Sequence, residues 1–226
     1  MFSVNVNLVD RIPMAFDLMY ENRTENEYIL AAEGMGYVVP SALVKGFKGA
    51  EADPITRTLS TAKRQYLEYG KPYYDMFKLD VTSRVINGFT EMKQDAMEIY
   101  NELSPKGSFV QSSTAGPEHD IKLYKGVPYM RTLGVSGTTT EDKVGSMYNT
   151  QVKTMNRQGL NFSAFEMTTM ANYCTPTGIM NYINDYTEYC NGKSEFSDYK
   201  TQYVDVNTYL DLLKQSGQGV VLEELN

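Results

Sequence analysis

The sequence predicts a mainly α chain of the α+β class: a helical bundle of about six or seven helices with an inserted β-hairpin and an extended N-terminal arm. Three observations predict it. Apolar residues step by three or four along Val81, Val85, Phe89, Met92, Ala96, Ile99 and Leu103. Helix-start signals recur at Thr24/Glu27, Asp53-Pro54, Ser163/Glu166, Thr175-Pro176 and Asp205. Period-two alternation is confined to the N-terminus and to the stretch around Lys125-Gly126.

Taken in order, Phe2, Val4, Val6 and Leu8 alternate with Ser3, Asn5 and Asn7. This marks a short strand or an arm able to pair with a neighbouring subunit. A capping box at Thr24 and Glu27 predicts a short helix over 24–33, ended by Gly34 and Gly36. Asp53-Pro54 opens a helix that should stop at Gly70, with Pro72 beyond it. The apolar steps from Val81 to Leu103 predict one long helix capped by Asp80, with Gly88 as a weak point in its middle. Residues 120–124 and 127–133 read as two strands about a Lys125-Gly126 turn, and Pro128 confines the second to an edge. Helices then resume over 141–157, 163–173 and 176–189, and a last one follows Asp205. Gly217 and Gly219 release a tail over 220–226. The chain divides at 1–106, 107–140 and 141–226, as two helical halves around the hairpin, within one compact domain.

Composition narrows the function classes. The chain has 226 residues, 42% hydrophobic and 22% charged, so a packed core is expected. Its net charge of -7 opposes general binding to a phosphate backbone, and no nucleic-acid partner is expected. No apolar stretch is long enough for a membrane helix, and the N-terminus does not read as a secretory signal. Cys174 and Cys190 flank an expected helix, which would hold them too far apart for a disulfide. Free thiols point to a reducing compartment and cytoplasmic synthesis.

Reactive groups are sparse. The single His lies in Glu118-His119-Asp120, where flanking carboxylates could raise its pKa, move a proton or help hold a cation. These three are the weak ligand candidates; no metal site, cofactor or catalytic set is expected. Gly134 to Lys143 lacks the Lys-Ser/Thr ending of a phosphate loop, and Glu141 and Asp142 would repel an anion. Lys63 and Arg64, with Arg57, read as a solvated helix face.

Tyr is abundant at 18 and Met at 13, and both favour contact surfaces. Phe2, Val4, Val6, Tyr124, Val127, Tyr129, Tyr186 and Tyr189 are the candidate interface residues. The resulting expectation is a structural or assembly subunit that forms a homo-oligomer or joins other protein subunits. A phage head, neck or tail component incorporated in a virion fits it best. The alternative is an intracellular enzyme or ligand-binding protein with a carboxylate-based site.

Overall fold

The computed structural model describes residues 2–23, 29–32, 59–85, 94–112, 121–136, 159, 164–168, 202 and 204–222. Their order is β1 (Phe2–Val4), a 3-10 turn (Val6–Asp10), α1 (Pro13–Asn22), β2 (Ile29–Ala32), α2 (Leu59–Phe77), β3 (Val81–Val85) and α3 (Gln94–Leu103). Then come β4 (Gly107–Ser112), β5 (Ile121–Tyr124), β6 (Val127–Ser136), β7 (Ala164–Thr168), α4 (Val206–Ser216) and β8 (Val220–Leu222). All eight described strands form one sheet in the order β1-β2-β3-β4-β6-β5-β8, with β7 also paired to β6. The fold is therefore α/β around a mixed sheet, and the expected helical bundle is corrected. Strands from all three stretches of the chain share this sheet.

β1, β2, β3, β4, β6 and β7 are neighbours in chain order, and each pair is parallel. Parallel neighbours need a crossover connection. Here α1, α2 and α3 lie in the connections between β1 and β2, β2 and β3, and β3 and β4. The expected hairpin exists: β5 and β6 are antiparallel, with Tyr124 opposite Val127. Lys125 (φ 50°) and Gly126 (φ 77°) supply the positive dihedrals that a tight two-residue turn demands. It is not an insertion between helical halves. β6 lies between β4 and β5, and β8 pairs in parallel with the outer side of β5. Gly219 (φ 126°) brings β8 in, since a Cβ there would stand 2.9 Å from Ile121 Cγ2. The expected loose tail thus begins as a strand.

Other sequence expectations are corrected in the same way. The long helix of 81–103 is β3 followed by α3. The capping box at Ser163 precedes a strand, β7. The helix of 24–33 contains β2 instead. α2 runs through Gly70 and Pro72 to Phe77. An interior proline costs about 3 kcal/mol or more. It is offset because Tyr66, Gly70 and Tyr74 are buried at four-residue spacing, while Pro72 is exposed. Phe77 further anchors the last turn by stacking on Phe16 (5.1 Å) and Tyr20 (5.5 Å) of α1. The helix after Asp205 forms as predicted: Asp205 accepts from the backbone N–H groups of Asn207 (2.9 Å) and Thr208 (3.1 Å), and Gly217 ends it in the left-handed region. The expected helices over 141–157 and 176–189 lie outside the described residues.

Two cores flank the sheet. On one side Tyr74, Met97, Tyr100, Leu103, Val110, Tyr124 and Tyr129 pack under α2 and α3, with Val6 among them. On the other, Val81, Phe109, Ile121 and Met130 meet Val206, Leu210 and Leu213 of α4. Among the described residues no helix is long and apolar enough to cross a membrane.

The N-terminal segment belongs to the chain's own body, since Phe2, Ser3 and Val4 pair with Ile29, Leu30 and Ala31, and Val6 is fully buried. Deleting residues 1–8 should therefore destabilise the monomer, and Val6→Ala alone should cost about 2 kcal/mol. Chemical denaturation checks both; a loss below about 0.5 kcal/mol for Val6→Ala would mean that Val6 is not packed in that core.

Candidate functional site

Parallel pairing keeps in-register residues on the same face of the sheet, and each face alternates along a strand. Thr82, Ser108 and Tyr129 therefore share the α2/α3 face. Tyr74 Oη and Thr82 Oγ1 lie 2.7 Å apart, and Thr82 also contacts the Ser104 hydroxyl. Tyr129 Oη lies 2.8 Å from the Met97 carbonyl and 2.6 Å from Asn101 Oδ1, and its one proton serves these two acceptors. Tyr66 and Tyr100 exchange a hydrogen bond of 3.0 Å. Burial pushes Tyr66 up to about 12 and raises Tyr74, Tyr100 and Tyr129 above the usual phenol range. These hydroxyls stay protonated and serve packing.

The α4 face is divided. Near the amino ends of the strands it is apolar, with Val81, Phe109 and Met130 closed over by α4. Toward the carboxyl ends it becomes polar. Ser83, two residues past Val81, is buried at 5% exposure. Thr132, two past Met130, is buried at 4% and donates to the Val110 carbonyl (3.4 Å). Gln111 stands in register with Thr132, and Thr132 with Ala164 of β7. Glu166 follows at the next position on that face, in register with Gly134. β3 is bulged nearby: three residue steps from Thr82 to Val85 oppose two from Ser108 to Val110. Bulges re-aim side chains and recur beside active sites. Parallel α/β sheets bind ligands outside the carboxyl ends of their strands. This polar row is the candidate site.

A second charged cluster sits at the opposite end, around the Lys125-Gly126 turn. Glu98 of α3 accepts from Tyr124 Oη (2.6 Å) and pairs with Lys125 (2.5 Å) and Lys63 (3.7 Å). Lys63 also pairs with Glu102 (2.5 Å). Partial burial alone would raise the Glu98 pKa. The hydrogen bonds from Lys125 and Tyr124 and the charges of Lys125 and Lys63 outweigh it and hold the carboxyl below its ordinary value. Glu98 is thus a fixed anion that ties α3 to the hairpin, and it is poorly suited to donate a proton. Along α2, Arg64 pairs with Glu68 (3.0 Å) and Lys71 with Asp75 (2.8 Å). These are exposed i,i+4 pairs of small energetic weight. The expected solvated face holds for Arg64, whereas Lys63 pairs with Glu98 and Glu102 of α3 and Arg57 lies outside the described residues.

The sequence candidates are distributed differently from this row. Glu118, His119 and Asp120 lie outside the described residues, as do Tyr186 and Tyr189. Phe2 and Val4 belong to β1. Val6, Tyr124 and Tyr129 are fully buried within the chain's own core, and Val127 packs against it. Ser83, Thr132 and Glu166 were missed. The alternation of Phe165 and Met167 with Glu166 and Thr168 was the signal for β7, and the Ser163/Glu166 cap pattern masked it. Among the described residues no group of three or more His, Cys, Asp or Glu could hold a metal ion.

No protein-family model matches the chain, and no curated protein does. The fold is similar to the solved structure of a "putative hydrolase" from Bacteroides thetaiotaomicron VPI-5482, with a TM-score of 0.62. Identity is 17%, and the match covers 94% of this chain and 38% of that one. The chain therefore spans little more than a third of the protein it resembles. The likeness is one of fold. It corrects the structural-subunit expectation, because a phage head, neck or tail component was inferred in part from a free arm, a protruding hairpin and a loose tail, and strands from all three belong to one sheet.

Two pH dependences follow. The Glu98 contribution is complete above its ordinary carboxyl value of 4.5 and disappears as pH falls through its lowered folded-state value. Glu98→Gln should cost about 1–2 kcal/mol at neutral pH and progressively less in acid. A denaturation series across acid pH checks this; a cost that does not shrink would show that packing dominates. At the alkaline end, the unfolded chain loses phenolic protons near 10, before Tyr66 does near 12 in the fold. Stability should fall as pH rises through that interval, with delayed tyrosinate absorbance. Uniform ionisation of all 18 tyrosines near pH 10 in a still-folded protein would contradict it.

Proposed function

We propose that this chain carries the reacting surface of a carboxylate-based hydrolase, placed at the carboxyl ends of its parallel strands. One observation carries the reading: the α4 face passes from Val81, Phe109 and Met130 to Ser83, Thr132 and the register positions of Gln111 and Glu166. A buried parallel strand ordinarily reads as a continuous apolar run. Polar residues in its place give the carboxyl end hydroxyl, amide and carboxyl groups that a substrate could contact.

Glu166 is assigned the acid–base role. Ser83 and Thr132 are assigned to substrate positioning through their hydroxyls. Hydrolysis needs a group to activate water and a group to protonate the leaving atom. Glu118, His119 and Asp120 follow the carboxyl end of β4 in the chain, between Ser112 and Ile121, and are the candidates for the second group. With a single His in the chain, carboxylates are the natural carriers of this chemistry. The name of the similar solved structure agrees with hydrolysis.

The test is turnover of chromogenic esters, phosphate esters, glycosides and anilides by the purified chain and by Glu166→Gln. One class should be hydrolysed above the buffer rate, and Glu166→Gln should reduce that turnover about 100-fold or more with the fold intact by circular dichroism. Turnover unchanged in Glu166→Gln, or no class hydrolysed, would overturn the assignment.

A further inference from the structure

Asn5 is the residue that follows β1. Val4 pairs with Ala31, and the Asn5 backbone remains extended (φ −77°, ψ 107°), so Asn5 stands one step on, alongside Ala32. Ala32 is in register with Ser83. The backbone thus adds Asn5 to the polar row that runs through Ser83 and Thr132 toward Glu166, at the carboxyl end of the first parallel strand.

Its side chain is unusual. Asn5 Oδ1 is buried and makes no hydrogen bond with the protein. Asn5 also precedes the 3-10 turn without capping it, so the local role that commonly keeps an asparagine at such a place is not performed. A buried acceptor left unsatisfied costs about 1–3 kcal/mol, and each one calls for an explanation. The residue as a whole is only partly buried. A half-turn about χ2 would exchange Oδ1 with the amide nitrogen. In the free protein that turn would bury two donors in place of one acceptor, and unpaired donors are the rarer case. A ligand that donates to Oδ1 changes the balance.

We propose that Asn5 is a ligand-binding residue of the carboxyl-end site, whose Oδ1 accepts a hydrogen bond from a neutral N–H or O–H group of the bound molecule. The proposal rests on the placement of the site given above, and not on the reaction assigned to Glu166. A neutral amide selects a donor without drawing in a cation, which an aspartate at this position would do. The unsatisfied acceptor of the free protein is relieved on binding, so free-state stability is given up in exchange for ligand affinity.

The experiment has two readouts on the full chain. Asn5→Leu is close in volume and removes the orphaned acceptor. Its melting temperature without ligand should equal or exceed that of the parent; a fall of more than about 4 °C would show a structural role and overturn the proposal. Acetamide, a small neutral N–H donor, is then titrated while the backbone amide resonances of Ala32 and Ser83 are followed. Saturable shifts should appear in the parent and vanish in Asn5→Leu. No saturable shift, or the same shift in both proteins, would overturn it. Failure of the hydrolase reading is separable: acetamide shifts that depend on Asn5, together with turnover that ignores Glu166→Gln, leave the ligand role standing and remove the reaction.

Discussion

The parallel pairing of β4 with β6 is the constraint on which the rest depends. It places Ser108 beside Tyr129, Phe109 beside Met130, Val110 beside Arg131 and Gln111 beside Thr132. One shift of register would carry every one of those residues to the other face. With the register fixed, the sheet has a tyrosine-lined face for α2 and α3 and a second face for α4. A parallel sheet needs cover on both sides. The first cover is broad. The second is concentrated where Leu210 and Leu213 meet Phe109, Ile121 and Met130. Among the described residues, that cover lies over the apolar end of the face.

On the proposed reading, the two ends divide stability from chemistry. At the amino end of β6, Glu98 holds Lys125, Lys63 and Tyr124, and the hairpin turn is closed by two positive φ angles. An ionised carboxylate with three fixed partners gives up its proton readily and takes it back only in acid. It suits a clamp. At the carboxyl end, Ser83 and Thr132 are buried hydroxyls, and Glu166 lies in the strand that extends the sheet beyond Thr132. The same residue type thus has opposite value in the two places, and placement in the sheet decides which glutamate is a candidate for proton transfer.

The same polar residues explain how little of the fold was legible. β3 reads Val-Thr-Ser-Arg-Val, and β4 reads Gly-Ser-Phe-Val-Gln-Ser. Neither is the apolar run that a buried parallel strand normally shows. Val81 and Val85 also fall in step with the stripe of α3, so strand and helix fused into one apparent helix. Ser163 and Glu166 imitate a cap, and Thr24 and Glu27 do the same ahead of Ile29. What was legible had strictly local causes: the Lys125-Gly126 turn, the cap at Asp205 and the alternation at Phe2 and Val4. Sheet order, the inward place of Val6 and the pairing of β8 arise from contacts distant in sequence. Of the candidate site, Ser83, Thr132 and Glu166 carried no signal of their own, because each becomes meaningful only beside its neighbour in another strand.

A buried polar group is tolerated when it is hydrogen-bonded, and one that is not costs stability. Thr82 belongs to the first kind, bonded to Tyr74 and in contact with Ser104 beneath two helices. Asn5 belongs to the second, with an acceptor that no protein group meets. Thr82 lies within reach of the Tyr74 and Ser104 hydroxyls, and Asn5 Oδ1 lies within reach of no donor among the described residues. On the α2/α3 face, Tyr74 reaches down to Thr82, while Ser108 Oγ on the same face is buried without a partner among the described residues. Among the described residues, α4 meets the apolar part of its own face through Val206, Leu210 and Leu213. Ser83 and Thr132 on that face already have protein partners, so the gain in stability proposed for a hydrogen-bonding ligand lies at Asn5 Oδ1.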